Sequence, residues 1–263
     1  MSSFIIYKNT KINFKDFGKG KVIVLLHGFL ENSTMWASLI PILSKGHRII
    51  TIDLLGHGKT ECMGYVHSME LMAETVNAVL KHLKIRRSIL IGHSMGGYVA
   101  LAYCELYPDT VKGICLMNST ALADSEARKK NRDRAIKAVK QNHKSFIKLS
   151  ISNLFRPKNR NRFANEIKMV KQEALNTPLQ GIIAALEGMK IRQDREAILH
   201  FGPFKKMMII SKKDPVLDFD TTIKQTLNTE VDVVELPDGH MSHIENKELL
   251  SYSIASFIEK EGI

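Results

Sequence analysis

Ser94 lies at the centre of the pentapeptide Gly92–Gly96 (GHSMG), which has the pattern G-x-S-x-G. A strand-like apolar run, Ser88–Ile91, precedes it, and a helical pattern, Gly96–Leu106, follows it. A serine at a tight strand-to-helix turn presents its hydroxyl to a substrate, and the flanking glycines allow the backbone segments to pack closely. The pattern and its context predict that Ser94 is a catalytic nucleophile.

A serine hydroxyl is a weak nucleophile near neutral pH, so Ser94 needs a base that takes up its proton. Two histidines, His240 and His243, lie in the segment PDGHMSHIE near the end of the sequence. His240 follows a glycine soon after a predicted strand, Val231–Leu236, from whose end a loop residue can reach back towards Ser94. We therefore predict that His240 is the base and that His243, the alternative, is a capping or surface residue.

The base needs an acid that holds its tautomer and stabilises the imidazolium. Asp214 fits this role because it comes directly after the predicted strand Lys206–Ser211 and its turn. An aspartate before a proline also commonly starts a plain turn, and the nearby alternatives are Asp218, Asp220 and Asp238. The previous core strand is followed by Asn118, which cannot carry a negative charge, and this favours Asp214.

The oxygen of a tetrahedral intermediate carries negative charge and needs hydrogen-bond donors. One expected donor is the backbone N–H of Met95, the residue after the nucleophile. A second is the backbone N–H of Phe29, in a loop that directly follows the run Lys21–Leu26 (KVIVLL). Gly28 in this loop is expected to allow a turn that directs the Phe29 N–H inward, although an ordinary glycine turn is the alternative.

Short apolar runs alternate with helical patterns along the chain, as in a mainly parallel sheet covered by helices. A hairpin of edge strands is predicted at Ser3–Tyr7 and Lys11–Phe17. The other predicted strands are Lys21–Leu26, Arg48–Ile52, Ser88–Ile91, Val111–Met117, Lys206–Ser211 and Val231–Leu236. Helices are predicted at Ser33–Leu43, Ser68–Leu83, Gly96–Leu106, Thr221–Leu227 and Lys247–Glu259.

The segment 121–199 interrupts this alternation. It contains helical patterns, such as Asp124–Asn142 and Asn165–Leu175, but no convincing buried strand. Because ligands bind beyond the carboxyl ends of the strands in open α/β sheets, an insertion after the strand ending near Met117 would cover the site. We predict an all-helical cap at this place.

The predicted core therefore consists of residues 1–120 and 200–263, and residues 121–199 form the cap. Apolar side chains of the cap either line a substrate pocket or only pack the cap onto the core. They include Phe146, Ile147, Leu154, Phe155, Leu179, Ile182, Ile183 and Met189.

Several segments together resemble the α/β-hydrolase superfamily, in particular its small capped, carboxylesterase-like serine hydrolases. These segments are Leu25–Phe29 (LLHGF), Asp53–Thr60 (DLLGHGKT), Gly92–Gly97 (GHSMGG), Asp214 and Gly239–Glu245 (GHMSHIE). The order Ser94, Asp214, His240 is also the order expected in that superfamily. The resemblance covers the whole chain and implies an α/β-hydrolase fold, a mostly parallel twisted sheet flanked by helices.

The sequence departs from the family pattern in one place. The turn after the acid strand usually contains a glycine, whereas this chain has Ser211–Lys213 there. Related dehalogenases and epoxide hydrolases attack with a carboxylate at the position of Ser94, so a serine there indicates acyl chemistry. Four residues of the Asp53–Thr60 segment are expected to have structural rather than catalytic roles: Asp53, Gly56, His57 and Gly58.

The composition excludes several classes of protein. With 263 residues, of which 44% are apolar and 25% charged, the chain is typical of a globular enzyme rather than a disordered chain, a fibre or a disulfide scaffold. No signal peptide or membrane span is apparent. Its three widely spaced cysteines, Cys62, Cys104 and Cys115, indicate a reducing cytoplasm. No metal-ligand spacing or nucleotide-binding motif is present, so we expect no cofactor or metal.

The net charge of +11 is concentrated in one place. Residues 121–200 contain 18 Lys and Arg residues against 8 Asp and Glu residues, a net charge of +10. This surplus is either a solvated helical face or a surface that attracts an anionic substrate or membrane surface. Aromatic residues are not interleaved with it, so nucleic-acid binding is not expected. The basic residues of the first cap helices are Arg128, Lys129, Lys130, Arg132, Arg134, Lys137, Lys140, Lys144 and Lys148.

The sequence thus predicts a serine hydrolase that cleaves a small or medium acyl ester through an acyl-enzyme. The same three catalytic residue types also serve C–C bond hydrolases, lyases and perhydrolases, and some members of the superfamily act as ligand receptors without turnover. The natural substrate and the oligomeric state do not follow from the sequence.

Overall fold

An eight-stranded, mainly parallel sheet forms the centre of the computed structural model, which describes residues 2–260. The strand order is β1-β2-β4-β3-β5-β6-β7-β8. Strands β1, β2 and β4 pair antiparallel, and every other pair is parallel. The strands are β1 (Ser2–Tyr7), β2 (Thr10–Phe17), β3 (Lys21–Leu26), β4 (His47–Ile52), β5 (Ser88–His93), β6 (Val111–Met117), β7 (Lys205–Ser211) and β8 (Val231–Leu236).

The central strands are apolar along their whole length because helices cover both faces of the sheet. All six residues of β5 are buried, as are the last four of β3. Each predicted strand is present and ends within two residues of its predicted bounds. The predicted fold class is therefore confirmed.

Helices cover the sheet on two sides, and each side has its own apolar core. One core contains the inner faces of α2 and α3, and the other contains Trp36, α1 and α11. The helices are α1 (Ile40–Leu43), α2 (Met69–His82), α3 (Met95–Leu106), α4 (Glu126–Gln141), α5 (His143–Leu154), α6 (Ala164–Ala174), α7 (Leu179–Lys190), α8 (Glu196–Phe201), α9 (Phe219–Lys224), α10 (Ser242–Glu245) and α11 (Lys247–Glu259). No helix among residues 2–260 has the length and apolar character needed to cross a bilayer.

The continuous helix predicted over Ser33–Leu43 is wrong. The chain forms a short 3₁₀ helix, Ser33–Trp36, and then the separate four-residue helix α1. Asn32 caps the first of these by accepting a hydrogen bond from the Thr34 N–H. Pro41 has no N–H to donate to a preceding turn, so it is tolerated only at the start of a new helix.

Five helices, α4 to α8, lie between β6 and β7. Helix α4 packs against α5 and α7. Helix α7 lies against the loop that follows β4, where the His67 N–H donates a hydrogen bond of 2.9 Å to the Ala184 carbonyl. A Cβ atom at Gly188 would lie 1.7 Å from the His67 carbonyl oxygen, so this close approach requires a glycine.

We expect Gly188→Ala to lower the thermal unfolding midpoint. Alanine inside a helix normally stabilises by about 0.5–1 kcal/mol relative to glycine. Here the overlap with the His67 carbonyl forces α7 away from the loop, and such overpacking costs about 1–3 kcal/mol. Circular dichroism melting measures the difference.

The matched control is Gly46→Ala, because Gly46 is exposed and its Cβ would have no atom within 4 Å. A midpoint for Gly188→Ala equal to that of Gly46→Ala would show that α7 is free to move away without cost.

Candidate active site

The turn at Ser94 joins β5 directly to α3. Ser94 has φ 50° and ψ −116°, a conformation that residues other than glycine adopt rarely. Its N–H donates a hydrogen bond of 2.9 Å to the Met117 carbonyl at the end of β6. A Cβ atom at Gly96 would lie 2.2 Å from the Leu26 carbonyl oxygen, so this glycine allows α3 to start against the end of β3. The turn has the strand–turn–helix geometry that the pentapeptide predicts.

The structure brings Asp214 and His240 together. The Nδ1 atom of His240 lies 2.7 Å from Oδ2 of Asp214, and both side chains are 2% exposed. Oδ1 of Asp214 accepts hydrogen bonds from the N–H groups of Val216, at 2.8 Å, and Leu217, at 3.1 Å. Burial raises the pKa of the Asp214 carboxyl, but the charge of His240 and these hydrogen bonds outweigh it and lower the pKa below its ordinary value. Asp214 is therefore ionised at neutral pH.

The turn that carries Asp214 needs no glycine. Residues 211–214 have no positive φ, so any L-residue fits there. The Lys212 N–H donates to the Leu236 carbonyl at 2.7 Å, and the Lys213 N–H donates to the Asp238 carbonyl at 3.0 Å. These bonds fix the turn that lacks the family glycine.

The alternative acids have other partners. Asp218 caps α9 by accepting a hydrogen bond from the Thr221 N–H, and Asp238 accepts one from Arg156. Asp220 is exposed. None of the three contacts His240.

Asn118, for which the sequence predicts no role, is a positioning residue beside Asp214. Its Nδ2 atom donates to Oδ2 of Asp214 at 3.0 Å and to Oγ of Ser211 at 2.8 Å. Its Oδ1 atom accepts a hydrogen bond of 2.6 Å from the Ser242 hydroxyl. Asn118 has φ 46°, and asparagine tolerates this left-handed region better than most residues do. An asparagine directly after a core strand was the signal that could have identified it.

Ser94 and His240 line the same cavity, which has a volume of about 90 Å³. The volume is sufficient for several water molecules, at roughly 10–15 Å³ each on this measure, or for a short acyl chain. The Ser94 hydroxyl makes no hydrogen bond to His240 or to any other residue in 2–260. Hydrogen bonds between nucleophile and base are often long in the absence of substrate and tighten in the Michaelis complex.

Of the two expected oxyanion donors, Phe29 lines this cavity, and Met95 directly follows Ser94, which lines it. The Met95 N–H begins α3, so it has no acceptor within the helix. Phe29 lines the cavity, and its N–H has no acceptor among the described residues. The left-handed residue of its loop is Leu30, with φ 62°, whereas Gly28 has no positive φ. Gly28 is needed instead because a Cβ atom there would lie 2.5 Å from a Glu31 carboxylate oxygen.

A second buried carboxylate–imidazole pair lies beside the first. Oε2 of Glu31 accepts a hydrogen bond of 2.7 Å from the Gly28 N–H and lies 2.7 Å from Nδ1 of His93. Nε2 of His93 lies 3.0 Å from the carbonyl oxygen of His240, to which it donates. The pair thus joins the Phe29 loop to the His240 loop.

In the Glu31–His93 pair, each charged side chain stabilises the charged form of the other. Burial raises the pKa of Glu31, but the charge of His93 and its hydrogen bond lower it to about 2. Burial lowers the pKa of His93, but the charge of Glu31 and the bonds to Glu31 and the His240 carbonyl outweigh it, and the pKa is raised. The two ring nitrogens of His93 face a carboxylate oxygen and a carbonyl oxygen, which are both acceptors, so both nitrogens donate, as in an imidazolium ion.

His243 is buried beside this pair, so the expectation of a capping or surface residue is wrong. Its Nε2 atom is 4.0 Å from Oε1 of Glu31, and burial lowers the pKa of its imidazole to about 4. Ligand atoms of Glu31, His93 and His243 lie within 4.8 Å of one another, a cluster that their separation in sequence concealed. Nδ1 of His93 and Oε2 of Glu31 already bind each other at 2.7 Å, and a metal ion would have to replace this hydrogen bond, so the three side chains fit a hydrogen-bonded cluster better than a metal site.

Asp53 and His57 have structural contacts. Asp53 accepts hydrogen bonds from the N–H groups of Ser33, at 2.8 Å, and Lys59, at 3.0 Å. His57 is buried and packs its ring against Phe29 at 6.0 Å between centroids. Neither side chain contacts His240.

Residues 21–247 match the family model for the α/β-hydrolase fold. The chain belongs to the α/β-hydrolase family. Its architecture agrees with this, since a thermophilic esterase from Thermogutta terrifontis, solved with malate bound, superposes with a TM-score of 0.89. The esterase is 27% identical in sequence to this chain, and the match covers 99% of this chain and 98% of the esterase.

Two curated relatives match this α/β-hydrolase over most of its length. The AB hydrolase superfamily protein YisY of Bacillus subtilis is 28% identical over 92% of this chain and 93% of its own. The dihydrolipoyllysine-residue acetyltransferase component of an acetoin cleaving system from Pseudomonas putida is 28% identical over 92% of this chain. The chain spans only 64% of the length of that Pseudomonas protein. The match of this chain with a serine hydrolase-like protein from Danio rerio covers 33% of the length of that protein.

We expect the folded protein to lose stability as the pH falls from about 6.5 to 4.5. Burial lowers the pKa of His57 to about 3 and that of His243 to about 4. In the unfolded chain these histidines take up protons near pH 6.5, whereas the folded chain excludes them until the pH reaches those lower values. Each histidine therefore removes about 1.4 kcal/mol of stability per pH unit across this window.

Melting curves at several pH values measure this dependence. His57→Asn is expected to reduce the slope of the unfolding midpoint against pH, and His200→Asn, at an exposed position, to leave the slope as in the wild type. Equal slopes in the two variants would contradict the account.

Proposed function

We propose that this α/β-hydrolase is a serine hydrolase that cleaves small or medium acyl esters through an acyl-enzyme. The observation that carries the proposal is the buried 2.7 Å contact between Asp214 and His240, at a cavity that Ser94 also lines. A serine, an imidazole and a carboxylate in this arrangement are the groups that nucleophilic acyl transfer needs.

In the proposed reaction, His240 Nε2 takes the proton from the Ser94 hydroxyl as Oγ attacks the ester carbonyl. The ionised Asp214 holds Nδ1–H of His240 and stabilises the imidazolium that forms. The backbone N–H groups of Phe29 and Met95 donate to the oxyanion. His240 then gives the proton to the leaving alcohol, and a water molecule deacylates Ser94 through the same base.

The Glu31–His93 pair supports this arrangement by keeping two loops at a fixed distance. Gly28, next to the Phe29 donor, binds Glu31, and the His240 carbonyl binds His93. The oxyanion donor and the base are thereby held relative to each other before the substrate binds, which lowers the cost of reorganisation.

We propose further that residues 121–199 act as the cap of the site. Leu154 and Met189 from this segment line the cavity with Ser94. Ile147, Phe155 and Ile182 are fully buried and support the packing of the segment instead.

A reducing cytoplasm is also part of the proposal. Cys62, Cys104 and Cys115 are all unpaired. Burial raises the pKa of the Cys104 and Cys115 thiols, so both remain protonated and serve as small apolar side chains.

We expect Ser94→Ala to reduce the hydrolysis of 4-nitrophenyl acetate and butyrate by at least about 10⁴-fold, because the nucleophile is lost. The melting temperature should stay close to that of the wild type. A fluorophosphonate should add one covalent label to the wild type, on Ser94, and none to the variant. Hydrolysis by a folded Ser94→Ala protein at the wild-type rate would refute the assignment. If the wild-type protein instead turns over each ester only once, slowly, and keeps the product tightly bound, the protein is a ligand receptor.

The two histidines are compared through matched alanine variants. His240→Ala should lower kcat/KM about as much as Ser94→Ala does, since nucleophile and base act as a unit. Asp214→Asn should lower kcat by about 10⁴-fold, because the imidazole then adopts the wrong tautomer. His243→Ala should cause a much smaller loss, since His243 faces Glu31 rather than Asp214. If His243→Ala stays folded yet is as inactive as His240→Ala, the choice of base is wrong.

A further inference from the structure

Besides the paired Glu31 and His93, one further charged side chain among residues 2–260 lines the cavity that contains Ser94. Most of its lining is apolar, with Leu154, Met189 and Val216 among the residues. Among the lining residues that the structure describes, Arg132 of α4 is the one Arg or Lys side chain. A guanidinium group beside a nucleophile is a candidate contact for an anionic part of the substrate.

The Arg132 guanidinium has unused donors. Its Nε atom donates to Oδ2 of Asp124 at 2.8 Å, and its side chain is 19% exposed. The two terminal nitrogens have no acceptor among residues 2–260. Asp124 therefore holds one side of the guanidinium and leaves the terminal N–H groups for another partner.

The charge of Arg132 is not neutralised by Asp124, because Asp124 has a second cationic partner. Arg192 donates to Oδ1 of Asp124, and its other donors bind the carbonyl oxygens of Leu122 and Met189. Burial raises the pKa of Asp124, but the charges and hydrogen bonds of Arg132 and Arg192 outweigh it and hold the pKa below its ordinary value. Two guanidinium ions thus share one carboxylate, and one positive charge remains.

Arg192 is an anchor and not a ligand-binding group. Its side chain is 2% exposed, and its guanidinium lies 4.1 Å from the centroid of the Tyr98 ring, which also lines the cavity. Because Arg192 is buried and its guanidinium binds Asp124 and two carbonyl oxygens, the remaining positive charge is available only through Arg132.

We propose that Arg132 binds a carboxylate of the substrate, so that this site prefers esters whose acyl or alcohol part carries a carboxylate. The proposal rests on the ester hydrolysis proposed above. A guanidinium with two free terminal nitrogens matches a carboxylate in a two-point hydrogen-bonded contact. In a partly buried, mostly apolar cavity such a contact is stronger than it is in water. Of the nine basic residues noted at the start of the cap, only Arg132 lines this cavity.

The test compares charged and neutral esters of matched size on the wild-type protein. The acyl pair is 4-nitrophenyl hemiglutarate and 4-nitrophenyl pentanoate, and the alcohol pair is 4-acetoxybenzoate and 4-acetoxybenzamide. A charge-assisted contact contributes about 1.5–3 kcal/mol, so in at least one pair kcat/KM should favour the carboxylate about 10- to 100-fold. Glutarate should also compete with 4-nitrophenyl pentanoate, and glutaramide should not.

Variants then assign the preference to one side chain. Arg132→Gln should bring the charged-to-neutral ratio of kcat/KM close to one. Arg132→Lys, which keeps the charge but loses the planar fork, should give an intermediate ratio. The matched control is Arg134→Gln on the same helix, because Arg134 is exposed and does not line the cavity. Its ratio should equal that of the wild type.

The outcomes separate this inference from the proposed function. Hydrolysis of the neutral esters without a preference for the carboxylate in either pair would overturn the inference and leave the esterase proposal standing. A preference that survives in a folded Arg132→Gln protein would also overturn it. Failure of the wild type to hydrolyse any of the four esters would overturn the esterase proposal together with the inference. The wild-type comparison does not depend on the folding of any variant.

Discussion

The backbone at Ser94 is the constraint on which the rest of the site depends. A non-glycine residue at φ 50° is unfavourable by about 1–3 kcal/mol, and the surrounding structure must hold it there. The hydrogen bond to the Met117 carbonyl and the close packing of Gly96 on the end of β3 supply that support. Because α3 begins at the next residue, the same turn presents the Ser94 hydroxyl and the Met95 N–H on one side of the sheet. The positions of β3, β5 and β6 relative to each other therefore determine where the Ser94 hydroxyl and the Met95 N–H lie.

Two carboxylate–imidazole pairs with different hydrogen-bond partners lie around this turn. In one, Asp214 is ionised and faces the ring of His240, which is the group proposed to move protons. In the other, both partners are charged, and His93 uses both of its N–H groups to hold other parts of the chain. A charged His93 cannot accept a proton, so it is unsuited to be the base although it precedes Ser94 directly. The difference arises from what the second ring nitrogen faces, which is a cavity for His240 and a carbonyl oxygen for His93.

Local patterns account for the parts of this structure that the sequence predicted correctly. The strands were recognisable because burial on both faces requires continuous apolar runs. The proximity of Asp214 to His240 could be expected because each residue lies soon after a recognisable strand end. Glu31 and His93 are 62 positions apart, and no sequence pattern near either residue indicates that the two side chains meet. The sequence predicts no role for Asn118 because an asparagine carries no charge, whereas in the structure its side chain supplies a donor and an acceptor between three loops. Such contacts depend on tertiary packing.

The same limit explains why the basic residues of α4 look alike in the sequence and differ in the structure. Arg132 and Arg134 are two positions apart, so the helical rotation places one at the cavity and the other in solvent. The packing of α4 on α7 decides whether Arg132 or Arg134 faces the cavity. Asp124 and Arg192, which lie outside α4, hold the Arg132 side chain in this position. Asp124 binds the guanidinium groups of both Arg132 and Arg192. It orients Arg132, and without Arg192 it would also neutralise the charge of Arg132. Arg192 compensates that negative charge by binding the other carboxylate oxygen, so the Arg132 guanidinium at the cavity remains oriented and keeps its positive charge.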